Sequence, residues 1–312
     1  MILKIEDSFF GKFSDADIAD FCYYAAEHGH FIDCEPQHKV RLKKCVAKHC
    51  GTNQKKVFMY ALNRFTHLTD EHRIYLTTIN GSAYAADILK SLLQKPARLL
   101  LENKMYEGPV YKRMIGSYKH DRQYGNMYTL LEIACNKGWL EFANGGGYGG
   151  FEEYLKSINN GEYKDIVKQK FCTLMDRDMK SAILPDNRDP LFGFLSGGKN
   201  HHTLADSDIY TLTFPLYIWH LWYKRAIENY FPDSSYVTCS YNPIVIWPAD
   251  PTDRNYKKIV DKGKGRFHKE DLPKLANSMS RYDYENGLQH FIVNGQDMSE
   301  LQLFLLKIVK II

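Results

Sequence analysis

Apolar positions recur every three to four residues along Asp15-Ala-Asp-Ile-Ala-Asp-Phe-Cys-Tyr-Tyr-Ala-Ala, and Ser14 stands where an N-cap belongs. That period predicts a helix. Residues 37–49 and 83–93 carry the same pattern, Ser82 is placed to cap the second, and Pro96 closes the run because it cannot continue a helix. Residues 1–95 are therefore expected to form a helical N-terminal region. Beyond Pro96 the texture changes. Ala97-Arg-Leu-Leu-Leu-Glu102 is a short apolar run with an acid at its end, the pattern of a buried strand meeting a loop. Residues 108–118 read as the helix that follows. Trp139-Leu-Glu-Phe-Ala is a second strand, closed by Asn144-Gly-Gly-Gly-Tyr-Gly-Gly150, and residues 151–158 and 163–168 are helix-like. Phe171-Cys-Thr-Leu-Met175 is a third strand, ending in Asp176-Arg-Asp178. A polar loop over 185–206, a strand over 210–214 and an aromatic-rich helix over 217–231 complete the pattern.

Strands alternating with helices predict an α/β domain over residues 96–235, a mostly parallel sheet flanked by helices. Residues 236–312 read as a C-terminal extension packed on that core. It is irregular after Pro232, basic over Lys257-Lys-Ile-Val-Asp-Lys-Gly-Lys-Gly-Arg266, and ends in a helix over 299–312 with one apolar face. There is no internal repeat.

Composition narrows the class. At 312 residues the chain holds one large domain or two ordinary ones, and 44% apolar with 25% charged residues is ordinary for a globular protein. No apolar run approaches the roughly 18 residues needed to span a bilayer, and residues 1–13 lack the basic flank and apolar stretch of a signal peptide. The expectation is a cytoplasmic protein with no membrane partner. Seven scattered cysteines, an odd count, fit reduced thiols. The balance of 41 basic and 37 acidic residues gives +4, which does not oppose a polyanionic partner and does not by itself argue for one.

Three chemically suggestive features fall at the carboxyl ends of predicted strands, where open α/β sheets place their ligands. Glu102 follows the first strand, with Glu107 soon after. The glycine cluster follows the second, and Asp176 and Asp178 follow the third. In an Asp-x-Asp at a strand end the two carboxylates project to one side, because side chains alternate. Such a pair suits Mg²⁺ or Mn²⁺, which take carboxylate and water oxygens. A lone Asp-x-Asp is more often a solvated acidic turn. The glycines at 145, 146 and 147 could let backbone N–H groups approach a phosphate, or could serve as a flexible connector. They form neither GxxxxGK[ST] nor GxGxxG, so nothing marks an ATPase motor.

The order of these features resembles the TOPRIM domain across roughly residues 96–235. Ala97-Arg-Leu-Leu-Leu-Glu-Asn-Lys-Met-Tyr-Glu-Gly-Pro-Val-Tyr is similar to that family's first motif, Ala143-Asn-Gly-Gly-Gly-Tyr-Gly-Gly to its glycine turn, and Phe171-Cys-Thr-Leu-Met-Asp-Arg-Asp to its Asp-x-Asp strand. Tyr223-Lys-Arg-Ala-Ile-Glu-Asn-Tyr-Phe231 resembles the helix after Asp-x-Asp in OLD-type nucleases and related phage-defence proteins. The resemblance implies two-metal phosphodiester hydrolysis of DNA or RNA. Glu102, Asp176 and Asp178 would hold Mg²⁺ or Mn²⁺ ions roughly 4 Å apart, with Glu107 and Glu228 completing the second site. Lys224 and Arg225 on the expected helix, or Lys262 and Lys264 in the later loop, would neutralise the phosphate. It further implies an anti-phage effector working beside a separate ATPase or reverse-transcriptase-type partner, with a homo-oligomer open. Two departures stand out: Asn103 replaces the usual glycine after the first acid, and Glu107 lies one residue further on than is typical. They keep alive a TOPRIM-type nucleic-acid-binding subunit that does not cleave. A second rival is an α/β Mg²⁺-dependent phosphoesterase acting on small substrates.

Other constellations weigh less. Cys34, His38, Cys45, His49 and Cys50 could supply four ligands to a structural Zn²⁺, although their spacing matches no standard finger. His201-His202 in the polar loop suit a lid or an exposed pair. Cys172 has no adjacent His or Asp, which disfavours a cysteine hydrolase. The rings of Tyr217-Ile-Trp-His-Leu-Trp-Tyr could stack on bases, but such density usually means core.

Overall fold

The computed structural model describes residues 2–64, 78–80, 86–146, 148–159, 170–176, 218–222, 226–247, 267–280, 283, 290–293 and 296–312. The first part of the chain runs β1 (Ile2–Lys4), α1 (Asp7–Lys12), α2 (Asp15–Glu27), β2 (Phe31–Asp33), α3 (Pro36–His49), α4 (Thr52–Arg64), β3 (Thr78–Asn80) and α5 (Ala86–Gln94). Ser14 caps α2, its Oγ accepting from the amide of Asp17. The helical reading of residues 1–95 needs correction, because β2-β1-β3 form a parallel three-stranded sheet. Strands of three residues, Ile-Leu-Lys, Phe-Ile-Asp and Thr-Ile-Asn, are too short to display a period of two. Leu3 and Ile32 on these strands are buried with Phe9, Phe21, Leu42 and Leu93 in one apolar cluster.

The second part builds a four-stranded, wholly parallel sheet in the order β5-β4-β6-β7 from β4 (Ala97–Leu101), β5 (Leu140–Asn144), β6 (Phe171–Met175) and β7 (Ile218–Leu221). The connections carry α6 (Lys104–Gly116), α7 (Gly125–Asn136) and α8 (Tyr148–Asn159). The molecule is thus α/β, with parallel strands covered by helices. Within the run at 217–231, expected to be one helix, the described residues instead form β7 and a 3₁₀ turn at Ile227–Tyr230. Its aromatic and β-branched residues suit a buried strand as well as a helix, and only the pairing with β6 decides between them.

After the turn come α9 (Asp233–Thr238), α10 (Pro243–Ile246), α11 (Leu272–Asn277), the antiparallel ribbon β8 (His290–Val293) and β9 (Gln296–Ser299), and α12 (Glu300–Ile311). The expected irregular stretch after Pro232 is therefore partly helical. The last helix also departs from its reading as a docked, one-sided element. α12 is enclosed on nearly every side, Glu300 and Lys307 included, and lies in the core against β4, β6 and β7, with Leu301, Leu303, Phe304, Leu305, Leu306, Ile308, Val309 and Ile311 as its buried apolar side chains. Each such side chain contributes on the order of 2 kcal/mol of burial free energy. Sheet and terminal helix share one apolar cluster running from Ala97 to Ile312.

The expected helix at 163–168, strand at 210–214 and loop at 185–206 lie outside the described residues, as do Ser82, Gly147, Asp178, His201, His202, Lys224, Arg225, Lys262 and Lys264.

Candidate active site

The sheet brings the acids together through its register. Leu100 pairs with Thr173 across β4 and β6, so Glu102 stands level with Met175, one residue before Asp176 on the neighbouring strand. Adjacent strands lie about 4.8 Å apart, so both acids leave the same rim. Leu101 pairs with Asn144 on the other side, and the Gly145 amide donates to the Leu101 carbonyl at 2.7 Å, which sets the glycine turn on that rim too.

Asn103 has φ −137° and ψ 96°, an extended backbone, and its side chain accepts from the Met105 amide at 3.1 Å as the N-cap of α6. Standing where the family's glycine is usual, Asn103 therefore serves to start the helix. The helix was expected to start at residue 108. The cap starts α6 at Lys104 instead and carries Pro109 inside the helix. Glu107 therefore moves from a loop into the first turn of α6, with its amide bonded to the Asn103 carbonyl at 2.9 Å. It is only 3% exposed.

Glu228 arrives from the 3₁₀ turn. The Ile227 amide donates to Asp176 Oδ1 at 3.1 Å, which ties the turn to the end of β6. The Tyr236 hydroxyl donates to the Glu228 carbonyl at 2.7 Å from the far side. Glu228 itself is buried, with Oε1 3.6 Å from the Nζ of Lys269. Lys269 opens a short 3₁₀ turn, Lys269–Asp271, and is half exposed.

The electrostatics show that these groups share one site. Burial pushes the Glu107 carboxyl up to about 8, Glu102 and Glu228 push further, and Lys269 opposes them. Burial also holds the Asp176 carboxyl well above the carboxylate range, reinforced by Glu228, Glu102 and Glu107 and again opposed by Lys269. Burial would lower the Lys269 ammonium, but Glu228, Asp176, Glu102 and Glu107 outweigh it and keep the ammonium charged. Four of the five sequence-expected metal ligands thus converge at the rim, and the fifth, Asp178, lies outside the described residues. Lys269 escaped the sequence reading. His268-Lys-Glu-Asp-Leu-Pro reads as an ordinary charged turn, and no local spacing signals that it faces Glu228.

The donor set fits a hard divalent cation. All four groups offer carboxylate oxygens, and the buried Glu107 Oε1 and Glu228 Oε2 meet no hydrogen-bond donor among the described residues. As placed, no three His, Cys, Asp or Glu side chains among the described residues enclose a single ion.

The glycine turn carries a packing constraint of its own. A Cβ on Gly145 would come within 2.2 Å of the Phe151 ring, so the turn seats directly on α8. Gly146 adopts φ +74°.

The Cys/His set expected to suit zinc does not assemble among the described residues. Cys45 donates to Asp15 Oδ1 at 3.6 Å, Cys50 to the Ala19 carbonyl at 3.8 Å, and His38 pairs with Asp7 while stacking on Phe10. Burial raises the thiols of Cys22, Cys45 and Cys50, which disfavours the thiolates that zinc requires. None of the seven cysteines is in a disulfide. Cys172 is buried and its thiol is pushed up to about 12 by burial, the opposite of an activated nucleophile. Among the described residues no helix is long and apolar enough to cross a membrane.

Comparison with protein-family models, with curated proteins and with solved structures finds no match to this chain.

Proposed function

We propose that this chain is a divalent-metal-dependent nuclease of TOPRIM-like type, hydrolysing DNA or RNA phosphodiesters. The observation that carries the reading is the convergence of Glu102, Glu107, Asp176 and Glu228 around Lys269, at the carboxyl rim of a parallel sheet. Ionising such clustered acids together is costly unless a cation offsets the charge, and one half-exposed lysine offsets only one. Glu102 and Asp176, with Asp178, would hold Mg²⁺ or Mn²⁺, and Glu107 and Glu228 would complete the set. Bound there, the metal would supply an activated water and a counter-charge to the leaving oxygen. Lys269 joins Lys224, Arg225, Lys262 and Lys264 as a candidate for one part: its ammonium would meet the negative charge that grows on the phosphoryl oxygens. The Ile227 amide orients Asp176 by donating to its Oδ1. Gly145 and Gly146 would let the strand backbone approach a phosphate. The anti-phage role and a separate ATPase or reverse-transcriptase-type partner belong to the same reading and rest on the motif resemblance alone.

The test is incubation of the purified chain with plasmid, linear and single-stranded DNA, and with RNA, in Mg²⁺ or Mn²⁺. Cleavage that EDTA abolishes is expected. Asp176→Asn keeps an acceptor for the Ile227 amide, so it should fold normally while losing activity by about 100-fold or more. Undiminished cleavage by that variant removes the assignment. A second reading, a nucleic-acid-binding subunit that does not cleave, draws on the absence of an enclosing ligand set among the described residues. Tight DNA binding without cleavage in any metal would favour it. Activity confined to small phosphate esters would favour a phosphoesterase.

A further inference from the structure

Behind the site lies a second set of buried polar groups that the proposed chemistry does not use. Glu300 is the first residue of α12 and wholly buried, and its Oε2 accepts from the Tyr230 hydroxyl at 2.5 Å. An acid at a helix N-terminus is ordinary when solvated. Here Ser299 and Gln302 already form the capping box, so the cap does not require an acid, and burying a carboxylate is costly. His220 Nε2 lies 3.6 Å from Glu300 Oε1, longer than a hydrogen bond, and Lys307 Nζ lies 3.4 Å from His220 Nδ1. Trp222 packs edge-on against both His220 and Tyr230, at 4.5 Å and 5.2 Å between centroids. Its Nε1 donates to the Tyr111 hydroxyl at 3.1 Å, and Tyr111 follows Glu107 by one turn on α6. The two elements that deliver Glu107 and Glu228 therefore lean on one buried wall.

We infer that Glu300 is a positioning residue: by accepting from Tyr230 it anchors the 3₁₀ turn, and so sets both Glu228 and the Ile227 amide that orients Asp176. Tyr230 stands two residues beyond Glu228 in that four-residue turn, so its tether leaves the Glu228 backbone little freedom. This inference rests on the reading of Glu228 and Asp176 as metal-holding residues. It differs from a mere packing role in predicting that metal affinity, beyond stability, depends on one hydrogen bond.

The experiment uses the full chain and its Tyr230→Phe, Glu300→Leu and Glu300→Gln variants. Mn²⁺ affinity is measured by calorimetry, and amide exchange at Ile227 is measured without metal. Tyr230→Phe and Glu300→Leu should each weaken Mn²⁺ binding by about tenfold or more, the usual effect of losing a partner behind a metal ligand, and should speed Ile227 exchange. Glu300→Gln keeps an acceptor oxygen for Tyr230 and should stay within about threefold of the parent on both measures. Leu42→Ala, in the separate N-terminal cluster, should lower stability without moving either measure. Should Glu300→Leu fail to fold, Tyr230→Phe carries the comparison alone. Parental affinity and exchange in Tyr230→Phe would overturn the inference. So would a Glu300→Gln as impaired as Glu300→Leu, or a Leu42→Ala control that weakens Mn²⁺ binding equally. A parent chain that binds no Mn²⁺ sinks the metal reading, and Ile227 exchange then still decides the anchoring by itself.

Discussion

Glu107 shows how a single carboxyl couples the site to stability. Its folded pKa is raised from 4.5 to about 8, so between those values the folded chain binds more protons than the unfolded one. The contribution is therefore favourable below about 4.5 and is lost as pH rises through 8, by up to about 5 kcal/mol from this group alone. Asp176 shifts in the same direction. Metal-free protein should accordingly lose Tm from pH 5 to pH 8, and Mg²⁺, which binds the deprotonated form, should restore most at the alkaline end. Glu107→Gln should raise the metal-free Tm at pH 8 and blunt the gain from Mg²⁺. Calorimetric scans of both proteins across that range check it, and a parallel Tm profile for the variant would contradict it. At this scale Glu102 and Asp176 were legible, because they stand where strand patterns end, whereas Glu228 was expected only through the motif resemblance and on a helix that is in fact a 3₁₀ turn. Lys269 was not legible, since its partner is reached only through folding.

At the scale of elements, legibility followed length. Ala97–Leu101, Leu140–Asn144 and Phe171–Met175 are five-residue strands, and their apolar runs announced them. The three-residue strands of the first sheet left no periodic trace, and helices α4 and α7 were passed over, α4 because its apolar stripe is diluted by polar residues. Segment 217–231 satisfied both periods, and the β6 ladder settled it. The cap expected at Ser14 stands where α2 begins, Ser82 lies outside the described residues, and the helix expected over 299–312 opens at a cap of its own, Ser299. The Ser299/Gln302 box opens a helix buried on all sides, so Ser299→Ala should cost about 1–2 kcal/mol. A urea midpoint shift at constant slope would show it, whereas an unchanged midpoint would mean burial alone holds α12.

Across the whole molecule, two apolar clusters meet near α5. Lys170, beside β6, donates to the Leu92 and Lys95 carbonyls at the end of that helix, and His30 Nε2 lies 3.1 Å from the Leu93 carbonyl. Gly29, at φ +76°, lies against the Trp139 ring, where a Cβ would sit 2.4 Å away. Gly29→Ala should therefore destabilise by about 1–3 kcal/mol through strain and overpacking at this junction. Thermal denaturation reads the loss, and an unaltered Tm would mean that the two parts yield freely there. What the sequence determined alone was local: strand runs, caps, and acids at strand ends, each set by side-chain periodicity and backbone preference. The tertiary structure alone decided which of those acids share a rim, that Lys269 joins them, and that the last helix is core. Those outcomes depend on strand register and on burial between distant segments, and neither is written in any short window of residues.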